Sequence, residues 1–342
     1  MVPTRRGRRA ARPRQISGGG WLDILWRVKE QLTDDRVNIL AAGIAFYALL
    51  SVFPAIAAII SLWALVFDPQ DMARQISELA RYLPPEAAGL IEKQAREIGD
   101  NTPTGLSLTA LGSLAVALFV ASKGVRGLII ALNLVYGEEE RRSLPGRLLV
   151  IATLTLGLIV LTLVTIAVVA VFPLAIGLLG LEGTPALLAG LLRWSALLLL
   201  MMLVIAVLYR FAPYRRSPRW EWVSVGTVTA TLLWLAGSAG LSLYVGRMAT
   251  LSELYGSLGA VVVLMLWFWL SAFVVLLGAE INGEMERQTR HDTTVGESRP
   301  LGERGAFVAD TLGPHRPWRR DRKADDSPDV SHDVSQDHGE PR

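Results

Sequence analysis

Six long apolar stretches, separated by short polar intervals, set the architecture of this chain. They run Ile39–Phe67, Leu106–Ser122, Leu148–Gly180, Ala186–Tyr209, Trp222–Gly246 and Leu258–Ile281. A hydrocarbon layer about 30 Å thick takes roughly 20 apolar residues of helix to cross. Each stretch is therefore predicted to be a transmembrane helix. Every backbone N–H and C=O must find an internal partner inside lipid, so helices are the viable element here. No run of alternating ten-residue segments suggests a barrel. The third stretch would extend about 50 Å as one helix; it is expected to tilt strongly or to break at Phe172-Pro173.

The polar intervals fix an orientation. Their Lys plus Arg counts are 9 for residues 1–38, 4 for 68–105, 5 for 123–147, 0 for 181–185, 4 for 210–221, 1 for 247–257 and 10 for 282–342. In 68–105 the four cations meet seven carboxylates. Lys and Arg accumulate in cytoplasmic loops, so both termini are expected in the cytoplasm, in a multi-pass protein of the cell (inner) membrane. The predicted fold class is an all-α integral membrane protein of six transmembrane helices with amphipathic helices at the interfaces.

Three further segments complete the predicted organisation. Residues 1–33 form a basic cytoplasmic head with a short amphipathic helix, anchored at the interface by Trp21 and Trp26. Residues 1–20 of it read as flexible. Residues 34–287 form the membrane domain. Within it, 68–105 carries apolar residues at helical spacing (Met72, Ile76, Leu79, Leu83, then Ala88, Ile91, Ala95, Ile98). It reads as an outer helical segment, either a substrate vestibule or a structural lid. Residues 288–342 are rich in Asp, Arg, Pro, Ser and Gly and are expected to be a disordered cytoplasmic tail.

Composition narrows the chemistry. There is no Cys, which excludes disulfides and thiolate chemistry. The four histidines, His291, His315, His332 and His338, all fall in the tail, so no His cluster is available to the membrane domain. No Walker loop, nucleophile elbow or zinc signature is present. No catalytic residue, metal site or cofactor is expected. Six arginines of the head (Arg5, Arg6, Arg8, Arg9, Arg12, Arg14) precede the first span with no acid among them. They suit anionic lipid head groups, each worth about 1 kcal/mol near the surface; nucleic acid is not an expected partner, and a homo-oligomer is left open.

A few polar groups inside the apolar stretches stand out. Gly43, Tyr47, Ser51 and Pro54 share one face of the first helix. Pro54 frees the carbonyl of Leu50 beside two hydroxyls. This face is either a substrate or ion path, or a packing kink. Glu280, with Asn282 close by, ends the last span. An ionisable group within a span is a functional-site hypothesis by default, so both are candidates for proton or cation handling; an interfacial ion pair is the alternative. Arg193 either snorkels to outer head groups or makes an anion contact. Asn133 and Tyr255 are added to the candidate substrate path. Gly124–Gly137 either extends the second helix or runs back along the membrane. Gly226/Ala230 and Gly237/Gly240 would let helices pack closely.

These motifs resemble the YihY/virulence factor BrkB family. The resemblance rests on Asp35-Arg-Val-Asn-Ile-Leu-Ala-Ala-Gly-Ile-Ala-Phe-Tyr47-Ala-Leu-Leu-Ser51-Val-Phe-Pro54, Ala131-Leu-Asn133-Leu-Val-Tyr136-Gly137, Tyr209-Arg-Phe-Ala-Pro213-Tyr-Arg-Arg, Leu254-Tyr255-Gly256 and the run from Leu266-Trp267 to Glu280-Ile-Asn282. It covers about residues 34–287; Tyr214 departs from the Asn expected after Pro213. The resemblance implies a six-span inner-membrane protein. Members have been labelled ribonuclease BN or serum-resistance factors, and some are suspected exporters. A nuclease needs clustered carboxylates or histidines beside a basic groove, and the sequence offers none. The leading expectation is a transporter or exporter of a small polar solute, ion-coupled through Glu280. The alternative is a non-transporting envelope scaffold that organises lipids or partner proteins.

Overall fold

A computed structural model describes residues 6–66, 108–178, 186–247 and 258–316. These residues are helical apart from loops, turns and one isolated antiparallel bridge between Pro218 and Thr294. The elements are α1 (Gly18–Asp34), α2 (Val37–Val66), α3 (Leu108–Val135), α4 (Leu144–Leu178), α5 (Ala186–Phe211), α6 (Trp220–Arg247), α7 (Leu258–Glu286) and a one-turn α8 (Phe307–Asp310). This is an all-α integral membrane protein. Among the described residues, five helices are long and apolar enough to cross a bilayer; a sixth span arises where α1 and α2 are counted together across a 60° bend. The outer segment 68–105, Tyr255 and Arg5 lie outside the described residues.

The helix bounds follow the apolar runs, with two informative differences. The second span does not stop at Ser122: α3 continues to Val135, so Gly124–Gly137 extends the helix. Its inner half buries Val125, Ile129, Leu132 and Val135 in the bundle, which stabilises an extension of modest hydropathy. The third span, α4, is one assigned helix of 35 residues that passes through Pro173 without interruption.

The bundle is centred on α7, which packs against α1, α2, α3 and α6. Val37, Ala41 and Ala45 line the inner seam of α2 at the four-residue spacing of one helical face. At the crossing of α6 and α7 the backbones nearly touch. A Cβ on Gly226 would collide with the Gly278 carbonyl and the Asn282 amide, and a Cβ on Gly278 with the Tyr209 hydroxyl. Gly237 similarly accommodates Leu270, whereas Gly240 faces open space. Close approach at glycines lets packing and interhelical hydrogen bonds hold helices together in lipid. Tyr209 donates such a bond to the Val275 carbonyl at 2.6 Å. On the outside, Leu156, Leu163, Leu199, Leu203 and Leu232 are exposed, as lipid-facing side chains must be.

One end of the bundle is closed by a cap that hydropathy did not foresee. Residues 288–316 were expected to be disordered, yet they fold onto the ends of the helices. The reason is a core built on a cation instead of apolar mass. Arg304, 3% exposed, donates to the carbonyls of Arg290 (2.5 Å), Ala309 (2.7 Å), His291 (3.0 Å) and Arg299 (3.2 Å). Asp292 accepts from the amides of Thr294 and Arg299 and from the Thr294 hydroxyl. The described part of the head is likewise folded against the chain. Gln288 donates to the Arg6 carbonyl, Thr289 to that of Ala10, and the Arg290 amide to that of Arg8. Arg6 pairs with Asp23 at 3.1 Å, and Arg8 binds the carbonyls of Arg287 and Gly313. The head arginines expected to meet lipid are thus partly engaged within the chain.

Between head and bundle, α1 starts at Gly18 with Ser17 as its N-cap and lays Ile24, Arg27 and Val28 inward. It is a covered helix on its α7 side, with Leu22 and Leu25 exposed on the other. The bend into α2 occurs at Asp35-Arg36. Arg36 holds φ +50°, a left-handed conformation that costs about 1–2 kcal/mol for a residue with a side chain.

Candidate functional site

The polar end of α7 assembles the most unusual environment in the protein. Glu280, Asn282, Glu284, Glu286 and Gln288 are all buried, none more than 2% exposed. Residues 280, 284 and 288 share one face of a helix and 282 and 286 another. Burial of both faces requires protein all round, supplied by α1, the α1–α2 bend, α6 and the loops after α3 and α5.

Each group but one has its partners. Arg27 of α1 donates to the Glu284 carboxylate, to the Glu284 carbonyl at 2.9 Å, to Gln288 Oε1 at 2.9 Å and to the Pro314 carbonyl at 2.9 Å. Arg287 adds a bond to Glu284 Oε1 at 2.6 Å. Arg215 reaches both oxygens of Glu286 at 2.8 Å, and Thr293 donates to one of them at 2.7 Å. The Arg215 guanidinium also lies 4.7 Å over the Tyr136 ring. Asn282 accepts from the Gly226 amide at 2.8 Å and donates to the Val223 carbonyl at 3.2 Å, pinning α6 to α7.

Glu280 is the exception. Its Oε1 makes no hydrogen bond among the described residues, and neither do Nη1 of Arg215 and Nε of Arg287 nearby. The carboxyl group in hydrogen-bonding reach is that of Asp35, at the α1–α2 bend. Counting from Leu258, Glu280 lies about 33 Å along α7, at the far edge of a typical hydrocarbon layer. It is shielded there by protein, with α1 and the cap beyond it. Among the described residues, no group of three or more His, Asp or Glu side chains is placed to hold a metal ion.

The virulence factor BrkB family model matches residues 28–301. The chain belongs to that family. Among its relatives in the BrkB family is YfkH of Bacillus subtilis (strain 168), a ribonuclease-like protein by name. It is 31% identical over 255 residues, which cover 73% of this chain and 90% of YfkH. A UPF0761 membrane protein of Laribacter hongkongensis (strain HLHK9) is 29% identical over 289 residues, covering 78% of this chain and 61% of that protein. Another, from Cronobacter sakazakii (strain ATCC BAA-894), is 26% identical over 264 residues, covering 76% and 86%. No solved structure gives a significant match.

In this BrkB-family chain the candidates read from sequence do not form one cluster. Glu280 and Asn282 lie together at the capped end. Tyr47 is twelve residues beyond Asp35, about 18 Å further along α2. It is 39% exposed and packs beside Gly124 of α3. Ser51 donates to the Ala48 carbonyl at 2.7 Å, and Pro54 sits inside an unbroken helix. Asn133 clamps a loop, accepting from the Tyr214 amide at 2.7 Å and donating to Glu140 at 3.2 Å. Arg193 lies in the first half of α5. Sequence reading missed Asp35, Arg27, Arg215 and Glu286. Their signal was present: an apolar helix that ends in polar residues at every second position is polar all round, and such an end needs a protein partner on every side.

Proposed function

We propose that this protein exports a small polar solute across the cell membrane, coupled to movement of a proton or cation at Glu280. The observation that carries the reading is a carboxyl group at the end of the last span, buried by protein on all sides, with one oxygen left without a hydrogen bond. A buried charge needs pairing, and the neighbouring arginines are committed to Glu284 and Glu286. A carboxyl held this way is suited to binding and releasing a small cation. The Lys and Arg distribution supports a cytoplasmic position for this capped end. Tyr47, Ser51 and Pro54 then offer the solute a hydroxyl-bearing stretch of α2 further into the membrane. The reading includes no catalysis: the ribonuclease-like name belongs to YfkH, and the polar groups here are spent on packing the helix ends together.

The test compares metabolites inside and outside cells that lack or overexpress the protein, under osmotic and acid stress. A solute should leave with wild-type expression and stay inside with Glu280→Gln; Tyr47→Phe/Ser51→Ala should weaken its export. Unchanged fluxes from normally inserted variants would refute the assignment.

A second reading, a scaffold for lipids or partner proteins, is favoured by the cap surface. There an open pocket of about 610 Å³ is lined by Arg290, His291, Ser298, Arg299 and Leu301 among others, and Arg9 and Arg14 are exposed for lipid head groups. That reading expects loss of function when residues 1–33 are deleted and tolerance of Glu280→Gln.

A further inference from the structure

We propose that Asp35 and Glu280 form a single proton-binding site, one proton shared between two carboxyls, and that its release loosens the hinge joining α1 to α2. The proposal deepens the transport reading and rests on its assignment of Glu280 to ion handling.

The geometry supplies the argument. Two carboxyls within hydrogen-bonding reach can make that bond only when one of them carries a proton. Nothing nearby replaces the proton. The titratable groups around the pair are Asp34 beside Asp35 at the hinge, Glu284 and Arg287 on α7, and Tyr136 after α3; Arg27 from α1 and Arg215 from the loop after α5 lie one step out, on Glu284 and Glu286. Toward this stretch α6 presents Gly226. Arg27 and Arg287 are bonded to Glu284, and Arg215 to Glu286. All three guanidinium groups are thus bonded to Glu284 or Glu286, and none is bonded to Glu280 or Asp35. The free Glu280 Oε1, in a side chain 1% exposed, is where water or a departing proton would be received.

Asp35 also occupies a mechanical position. It is the C-cap of α1, its amide bonded to the Gln31 carbonyl, and the next residue is the left-handed Arg36. With the proton gone, two carboxylates face each other in a shielded site. Asp35 is the partner with a route to solvent, since it is half-buried at a bend. Its withdrawal would carry the end of α1, and with it the Arg27 clasp on Glu284 and Gln288.

Infrared spectroscopy of the full-length protein in lipid nanodiscs tests the proton. A protonated-carboxyl stretch should persist at neutral pH, disappear on alkaline titration, and be lost in both Glu280→Gln and Asp35→Asn. Either variant keeps a hydrogen-bond donor for the remaining carboxylate, and the wild-type titration stands even if one fails to fold. The chain has no Cys, so spin labels at Lys29→Cys and Ser224→Cys, both exposed, report the hinge. The distance distribution should broaden and lengthen as the band disappears, and stay pH-independent in Glu280→Gln. No carboxyl band at neutral pH, a band that survives in both variants, or displacement of the proton by sodium would overturn the shared proton. A distance that ignores pH would overturn the hinge. Solute export that depends on Glu280 without a shared proton would sink this inference alone; a shared proton with no export would sink the transport reading alone.

Discussion

The middle of the bundle and its capped end obey opposite rules. In the middle, helices touch through small or aliphatic residues, and large Leu side chains such as Leu163 and Leu199 face outward. Few polar atoms need partners there; some return to their own helix, as Thr155 does to the Ile151 carbonyl at 2.7 Å, and others make single bonds between helices, as Trp234 does to the Ser271 hydroxyl at 2.9 Å. At the capped end, apolar mass is scarce and stability comes from arginines threaded among carboxylates and carbonyls. The difference teaches where each kind of mutation should hurt. A lipid-exposed Leu has no cavity to leave behind, whereas a buried arginine leaves an uncompensated charge.

The largest effect is expected at Arg215. Arg215→Met leaves Glu286 buried without its cation, which costs about 3–5 kcal/mol when one partner of a buried pair is removed. Adding Glu286→Leu should recover most of that loss, because the stranded charge goes with its partner. Reversible unfolding in bicelles measures both. If the single substitution were neutral, the capped end would not depend on its ion pairs.

Gly226 brings the two regions to one point, where α6 and α7 cross. Gly226→Val places side-chain atoms where the Gly278 carbonyl and the Asn282 amide lie. Overpacking of this kind costs about 1–3 kcal/mol, and the two Asn282 hydrogen bonds should be lost with it. The same substitution at Gly240, which faces open space, serves as the control on one helix.

A titration sharpens the contrast further. Burial tends to raise the Asp292 carboxyl, but hydrogen bonds from the Arg299 and Thr294 amides and the Thr294 hydroxyl outweigh it, and the group is held below its usual value. A carboxyl depressed on folding contributes stability above its unfolded pKa, about 3.9, and loses it as pH falls through the lower folded value. Hydrogen exchange in residues 290–312 should therefore quicken on acidification below about pH 4, while α3 and α5 stay protected. Arg304→Ala should produce the same local opening at neutral pH.

The smallest effect belongs to the lipid face. Leu163→Ala or Leu199→Ala should change stability by no more than about 0.5 kcal/mol. A large loss at either position would mean that a second copy of the chain or another protein covers that face.

Legibility in the sequence divides along the same line. Hydropathy reads mass, so the apolar runs located α2 to α7 within a few residues at most ends. It does not read hydrogen bonds. Arg304 scores as a solvated cation, yet it holds four carbonyls and folds the segment 290–309 around itself. The extension of α3 past Ser122 was open for a related reason: Lys123 and Arg126 lower the average, while the residues that stabilise the helix point inward at Val125 and Ile129. Glu280 announced itself as a charge in an apolar run. Asp35 did not, because a carboxylate just before a span looks like an ordinary flanking residue until α7 is placed beside it. Asn133 shows the converse: a buried amide near a helix end reads as a site and serves as a loop clamp.

Glu280→Gln separates a working role for the buried polar end of α7 from a structural one. The most direct measurement follows solute export and thermal unfolding for wild type and Glu280→Gln in the same membranes. Export should be lost with a nearly unchanged unfolding temperature, since Gln fills the same space and still donates to Asp35. Export at the wild-type level from a normally folded Glu280→Gln protein would contradict the working role.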